Sequence, residues 1–536
     1  MVDTPFADWI HAQAARRGEA PALRFGGEAI GWASFARGID EAAAALAAAG
    51  IGRGAVVAWL GLNSPAMLAM LWACARRGAL LMPLNWRLAP PEHRAMLAEA
   101  SPAVFVAEPI FAAASAAAGV APVGTRCVLV DEGIDAAAQG AAPASAGTVP
   151  PLGWPRWADF IAAGAGRGGQ AADAGAPDPR TPLLLCYTSG STGRPKGVVL
   201  SADALAANAD ASVDMHALTP QDRVLTTLPL FHVGGLNILT TPALRAGCTV
   251  TLHARFDPDA AFDAIERDRI TLTVLVPAQL EAMMAHPRWA GADLSSLRSI
   301  STGSTIVPER LIRAVHARGV PLIQVWGATE TCPIASCLHA DEARRKTGSA
   351  GRAAAGVQLR IVDAAGADAS VGASGEILVR GRSVMDGYWR DPDASARALA
   401  DGWFHSGDSG HLDTEGFLWV DGRLKDMIIS GGENVSPAEV EAVLLDDPEV
   451  AECAVVGQPD SRWGEVVVAV VVPRAGCAPS AGRLMGLYEG RLARFKHPKR
   501  LLLVDALPRT ALGKVRKEDV RGLAIRMLQD QAEGVA

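Results

Sequence analysis

The chain has 536 residues, half of them hydrophobic, and a formal net charge of −7. That length predicts at least two domains, and the acidic balance gives no sign of nucleic-acid binding. No apolar run reaches the roughly 20 residues of a membrane helix, so no integral membrane segment is expected. The opening MVDTPFADWI carries acids but no basic n-region, so no secretory signal is read there and the expected compartment is the cytoplasm.

The eight cysteines, at 74, 127, 186, 248, 332, 337, 453 and 477, are scattered, and several sit inside apolar runs. Only Cys332 and Cys337 are close, at a spacing unlike a zinc pair, so buried reduced thiols are expected.

In chain order, residues 38–48 predict a helix, 56–60 a strand, 65–77 a helix, 80–84 a strand, 91–100 a helix and 103–106 a strand. Such alternation implies a parallel sheet covered on both faces. From 112 to 180 the text turns Ala/Gly/Pro-rich, and much of it reads as a surface excursion, with one short strand at 127–130. Strands resume near 183–187, 223–228, 249–252, 271–276, 297–301 and 321–326, and 357–363 with 375–380 suggest a more antiparallel region. Asp257-Pro258 marks a helix start, and Ser436-Pro437-Ala438-Glu439 predicts a capping box. A polar, Gly-rich stretch from 401 to 426 separates a last unit with strands at 451–456 and 466–472 and a terminal helix.

One stretch concentrates chemistry: Tyr187-Thr188-Ser189-Gly190-Ser191-Thr192-Gly193-Arg194-Pro195-Lys196-Gly197, directly after the apolar run Leu183-Leu184-Leu185-Cys186. Glycines let backbone N–H groups converge, and with hydroxyls and a lysine beside them they form a cradle for phosphate oxygens. The Walker A pattern is absent, because Lys196 precedes Gly197 rather than Ser or Thr. A polar linker is the plainer reading, but linkers rarely sit between two apolar runs.

Further clusters follow: Leu228-Pro229-Leu230-Phe231-His232-Val233-Gly234-Gly235, Ser301-Thr302-Gly303-Ser304-Thr305, Val325-Trp326-Gly327-Ala328-Thr329-Glu330-Thr331, Phe404-His405-Ser406-Gly407-Asp408 and Gly422-Arg423-Leu424-Lys425-Asp426. The last unit adds Ser430-Gly431-Gly432-Glu433, Arg462-Trp463-Gly464-Glu465, the basic RLARFKHPKR of 491–500, and Thr510-Ala511-Leu512-Gly513-Lys514. The 188–197 string resembles the phosphate-loop signature of the adenylate-forming superfamily of acyl-CoA synthetases, adenylation domains and luciferases. The other clusters match that superfamily in order, from about residue 6 to 520, and the C-terminal text is most similar to the chlorobenzoate, feruloyl and fatty acid–CoA ligase branches.

The resemblance implies an α/β fold. It would have a large N-terminal domain, 1–422, with parallel-sheet subdomains and a small antiparallel barrel-like part, and a small mobile α+β domain, 423–536, hinged near Lys425. It further implies that Thr188, Ser189, Gly190, Ser191, Thr192, Gly193 and Lys196 cradle the ATP phosphates, with Gly303 and Ser304 nearby. Trp326, where tyrosine is usual, and Gly327 would pack on adenine, Thr329 would contact phosphate, and Glu330 would hold Mg²⁺. Asp408 would take the ribose hydroxyls, with Arg423 as a ribose and phosphate partner at the domain junction and Lys514 as the adenylation lysine. His232, which alone would read as a core histidine, joins Val233, Gly234, Thr302, Gly327, Cys332 and Pro333 in an implied acyl pocket. Gly431 and Gly432 would border the pantetheine of coenzyme A, and Trp463, Phe495 and Lys499 (or Lys496) its nucleotide end; a solvated helix end is the plainer reading of 491–500.

The implied activity is an ATP-dependent, AMP-forming carboxylic acid:CoA ligase, an acid–thiol ligase. Its catalytic set would be Lys514, Glu330, Thr188, Lys196 and His232, and its substrate an aromatic acid of benzoate or cinnamate type or a medium- to long-chain fatty acid. The small, uncharged pocket residues favour a bulky apolar acyl group. The alternatives are an adenylate-forming enzyme with another acceptor and a non-catalytic nucleotide-binding protein. A homodimer is implied only by relatives.

Overall fold

Short apolar runs alternating with helices build two sheets whose centres are parallel. The computed structural model describes residues 4–130, 153–164, 178–188, 195–303, 307–430, 433–460, 463–489, 491–492, 494–510 and 513–533. The first sheet has seven strands in spatial order Gly387–Tyr388, Lys196–Ser201, Pro182–Thr188, Leu80–Pro83, Val56–Leu60, Val104–Ala107 and Arg126–Leu129. Three adjacent strands, Leu80–Pro83, Val56–Leu60 and Val104–Ala107, have every residue buried, as a parallel sheet covered on both faces requires. Ser64 caps the helix Pro65–Arg77 by accepting from Met67 N–H, with proline at its first position, so both boundaries match the sequence reading.

The second sheet has nine strands. Its parallel centre runs Leu322–Trp326, Ser299–Gly303, Leu272–Val274, Arg223–Thr226, Thr249–Leu252 and Pro21–Phe25. From Arg223–Thr226 the chain first goes to one neighbour, Thr249–Leu252, and then to the other, Leu272–Val274. The order therefore reverses at this strand, and ligands of open α/β sheets bind in the crevice beyond the carboxyl ends at such a point. One continuous buried core, including Trp32, Trp59, Trp72, Leu205 and Val250, joins the two sheets.

A third, antiparallel sheet comprises Val357–Val362, Gly375–Gly381, Phe404–Leu412 and Leu418–Arg423. The C-terminal part forms a five-stranded sheet around the long pair Val450–Asp460 and Gly464–Pro473, covered by Pro437–Leu445 and Lys517–Glu533. The third sheet ends at Arg423 and the fourth begins at Ile428, with the turn Leu424–Asp426 between them. All eight cysteines are free, and no described helix is long and apolar enough to cross a membrane.

Three sequence expectations need correction. The stretch 401–426 is no mere separator: it carries two strands of the third sheet. Polar residues buried by hydrogen bonds, such as Ser406 donating to Ile377 O, disguise them as loop text. In the region 112–180, expected to be largely surface with one strand, the helix Trp157–Ala162 is an unanticipated element that buries Trp157 and Phe160, with Trp157 edge-on to Trp59 at 5.9 Å. The capping box at Ser436 does not form. Ser436 Oγ donates to Asp421 O, and Glu439 receives Lys496 Nζ at 2.7 Å.

Candidate active site

The strands Pro182–Thr188 and Lys196–Ser201 pair in antiparallel register, placing Thr188 opposite Lys196 at the mouth of the loop between them. Thr188 Oγ1 donates to Lys196 O at 3.4 Å. Ser189, Gly190, Ser191, Thr192 and Gly193 lie outside the described residues, as do Ser304, Gly431 and Gly432. Lys196 Nζ sits 4.8 Å from the centre of the Tyr388 ring, a cation–π contact. Tyr388 O–H donates to Glu330 Oε1 at 2.9 Å, and Met385 N–H donates to Glu330 O at 2.8 Å. Glu330 is thus tied at backbone and side chain beside the loop lysine. Tyr388 itself pairs with Val198 on the strand that carries Lys196.

Trp326 closes the strand Leu322–Trp326 and leads into a 3-10 turn, Thr329–Thr331. Gly327 between them has φ +159, and a Cβ there would lie 1.8 Å from Pro333 O, so no larger residue fits. Gly303, at the end of the neighbouring strand, is similarly close to Val325 O. The Trp326 indole N–H donates to Asp408 Oδ2 at 2.9 Å, while Arg423 Nε approaches Asp408 Oδ1 at 2.7 Å. Burial raises the Asp408 pKa, against the lowering pull of Arg423, the Trp326 bond and Lys514.

Lys514 stands in a tight turn in which Gly513 N–H donates to Thr510 O and Lys514 N–H to Thr510 Oγ1. Its side chain keeps surface in solvent, yet protein atoms crowd the ammonium. That desolvation, then Arg423, lowers its pKa, while Asp408 and Glu330 pull it up. The C-terminal lysine therefore lies within electrostatic reach of both carboxylates.

His232 begins a short helical turn, Val233–Gly235, continued by a π-helical turn, Leu236–Thr240, beyond the carboxyl end of Arg223–Thr226. Its Nδ1 accepts Gly234 N–H at 3.0 Å, which leaves the proton of the neutral ring on Nε2. Desolvation, then Lys514 and Arg87, brings its pKa down to about 4. Val233, Gly234, Thr302 and Cys332 are buried, and Asn237 Nδ2 donates to Cys332 Sγ at 3.5 Å.

The remaining implied positions stand apart. Trp463 is 42% and Phe495 38% exposed, and Lys499 is exposed. Lys496 is engaged by Glu439, whereas Lys499, the other lysine offered for a phosphate, makes no ion pair among the described residues. Lys425 lies in the turn between the third and fourth sheets.

The sequence reading missed three residues around the site. Tyr388 and Arg87, whose guanidinium stacks 4.9 Å from the Trp86 ring, sit in unremarked text. Asn63 gives Nδ2 to Leu228 O and His253 O and takes Leu230 N–H on Oδ1, fixing the segment before His232. Its partners are more than 160 residues away in sequence, so no local signal marks it.

A site with a loop lysine, a tethered glutamate, a doubly held aspartate and a lysine from the C-terminal unit has the parts needed to bind a nucleoside triphosphate and activate its α-phosphate. The sequence matches the AMP-binding enzyme family over residues 10–389 and the AMP-binding enzyme C-terminal domain over 439–514. The chain belongs to the AMP-binding enzyme family, as an acyl-CoA synthetase of the adenylate-forming superfamily. Among curated relatives it is 56% identical to an indoleacetate–CoA ligase of Aromatoleum aromaticum over 521 residues, 97% of this chain and 98% of that one. It is 40% identical to a feruloyl-CoA synthase of Amycolatopsis sp, over 97% of this chain and 99% of that one. The o-succinylbenzoate CoA synthetase of Bacillus subtilis, solved with its acyl-adenylate intermediate, superposes with a TM-score of 0.81 at 29% identity, covering 97% and 98% of the two chains.

Proposed function

We propose that this enzyme makes the CoA thioester of an aromatic acid, with indole-3-acetate the first candidate. The observation that carries the reading is the 56% identity, across nearly the whole chain, to an indoleacetate–CoA ligase. What favours a compact ring over a long alkyl chain is the wall behind Cys332. There Asn208 Nδ2 donates to Asn237 O at 2.7 Å, Ile334 N–H donates to Asn208 Oδ1 at 3.0 Å, and both asparagines are fully buried. Opening that wall for an alkyl tail would leave these groups unpaired.

A carboxylate is a poor acyl donor because its leaving group would be oxide. Attack of the acid on the α-phosphate of ATP forms the acyl–O–phosphate bond and releases pyrophosphate; attack by the CoA thiol then forms the thioester and releases AMP. Negative charge builds on phosphate oxygens in the first step, and Lys196 and Lys514 are the cations assigned to stabilise it. His232, neutral near pH 7, adds no charge against theirs and presents Nε2–H to the acid carboxylate.

One carboxylate with triphosphate oxygens is a donor set that suits Mg²⁺. Glu330 fits that role, because its second oxygen makes no hydrogen bond among the described residues. Bound Mg²⁺ would neutralise triphosphate charge. Phe495, Trp463 and Lys499 are assigned to the nucleotide end of coenzyme A, and the boundary near residue 423, the cytoplasmic location and any homodimer belong to the same reading.

Release of AMP and pyrophosphate across indole-3-acetate, ferulate, benzoate and dodecanoate, with and without CoA, tests it. CoA-dependent turnover highest with indole-3-acetate is expected; a dodecanoate preference would overturn the aromatic assignment. Lys514→Ala should slow pyrophosphate release by about 100-fold or more, the scale of a lost charge-stabilising donor. It should leave thioester formation from supplied acyl-AMP near wild type.

A further inference from the structure

Asp408 is held at both carboxylate oxygens, from two different sheets. Oδ1 meets Arg423, on the adjacent strand of the third sheet, and Oδ2 receives the indole N–H of Trp326, the last residue of a central strand in the nine-stranded sheet. Behind it, Asp408 N–H donates to Ser406 Oγ at 3.0 Å. The residue is only 8% exposed. An ionised carboxylate has about four acceptor positions, and two are occupied here. Among the described residues, one is left on each oxygen, a pair matched to two adjacent hydroxyls.

The last torsion of an aspartate is broad and sets its carboxylate plane only weakly. Donors must therefore fix that plane, and the two present differ in kind. The Arg423 side chain is half exposed and precedes the turn between sheets. Trp326 is one rigid ring on a strand end, partly buried against two core clusters. A tyrosine or phenylalanine ring in its place would stack on a base but lacks the indole N–H.

We infer that Trp326 is the positioning residue that makes the site read ribose: its N–H sets the Asp408 carboxylate plane so that both free acceptor positions meet the 2′- and 3′-hydroxyls of the nucleotide. This rests on the assignment of Asp408 to the ribose. It gives Trp326 a role separate from stacking, because stacking is the same for ATP and 2′-deoxyATP whereas hydroxyl reading is not.

The test is the ratio of equilibrium dissociation constants for 2′-deoxyATP and ATP, measured by titration calorimetry without acid, for wild type, Trp326→Phe, Trp326→Met and Asp408→Ala. Wild type should prefer ATP. Trp326→Phe should cut that preference by about tenfold, the scale of a misplaced hydrogen bond to a charged group. The loss should fall on ATP, with 2′-deoxyATP changing by less than about twofold; a merely structural role would weaken both nucleotides alike. Trp326→Met loses the stacking face too, but the ratio cancels that loss, so it decides the matter if Trp326→Phe does not fold. Asp408→Ala should abolish the preference. If Asp408→Ala retains it, the ribose assignment of Asp408 is wrong. If Asp408→Ala abolishes it while both Trp326 variants keep the wild-type ratio, the role given to Trp326 is wrong.

Discussion

Glu330 is held by a tyrosine that also lies against Lys196, so one side chain touches two groups assigned to the triphosphate. Removing the Tyr388 hydroxyl leaves the Glu330 carboxylate with one donor fewer, a bond to a charged group whose loss costs about 1.5–3 kcal/mol. Tyr388→Phe keeps the ring beneath Lys196 and should raise the Mg²⁺ concentration for half-maximal pyrophosphate release by about tenfold, with little change in melting temperature. Tyr388→Leu removes the cation–π contact as well and should additionally raise KM for ATP. Unchanged Mg²⁺ dependence in Tyr388→Phe would mean that Glu330 is positioned without it. The contrast with Lys196 shows what the sequence makes visible. Lys196 stands in a run of glycines and hydroxyls whose composition alone suggests phosphate. Tyr388 lies 58 residues from Glu330, and the Trp326–Asp408 contact spans 82, so neither partnership leaves a local pattern.

At the scale of elements, the helix Ala202–His216 is joined to the strand Ser299–Gly303 by a histidine outside the set assigned to the reaction. His216 Nδ1–H donates to Ser212 O at 2.9 Å, and in the neutral ring Nε2 accepts from Ser301 Oγ at 2.7 Å. Burial brings its pKa down to about 4. The unfolded chain takes up this proton near pH 6.5, and the folded chain resists until about 4. Between those values the unfolded state binds more protons, so stability falls as pH falls, by at most about 3 kcal/mol from this residue. His216→Gln should be less stable than wild type at pH 7.5 but lose less melting temperature between pH 6.5 and 4.5; equal losses would remove His216 as a source of acid sensitivity. Elements were legible where burial and period agree, as in Val56–Leu60 and Pro65–Arg77. They were not where tertiary partners override local chemistry. Ser436 and Glu439 have capping-box spacing, yet their side chains turn to Asp421 and to Lys496, 57 residues away from Glu439.

For the whole molecule, the arrangement of the last unit relates to one half of the reaction. Lys514 lies within electrostatic reach of Asp408 and Glu330, while Trp463, Phe495 and Ile429 leave apolar surface in solvent. A cleft of about 1100 Å³ lies between Glu376, His405 and Asp421 on the third sheet and Met427, Glu439 and Lys496 beyond the turn. If Lys425 is the hinge that the family resemblance implies, thioester formation would use a second arrangement of the last unit, reached by rotation there, with Lys514 withdrawn from the site. Proline at 425 tests this, because its ring fixes φ near −65°. Met427 N–H closes the turn onto Leu424 O, so proline at 425 removes no bond from it. Lys425→Pro should release pyrophosphate from acid and ATP in a single turnover within about threefold of wild type, yet form thioester from supplied acyl-AMP and CoA at least about 100-fold more slowly, a barrier increase near 2.7 kcal/mol. That is the mirror image of Lys514→Ala, which slows the first half and spares the second. Wild-type thioester formation by Lys425→Pro would place the rotation elsewhere in the turn, and loss of both halves at unchanged melting temperature would mean that the two steps share one arrangement of the last unit.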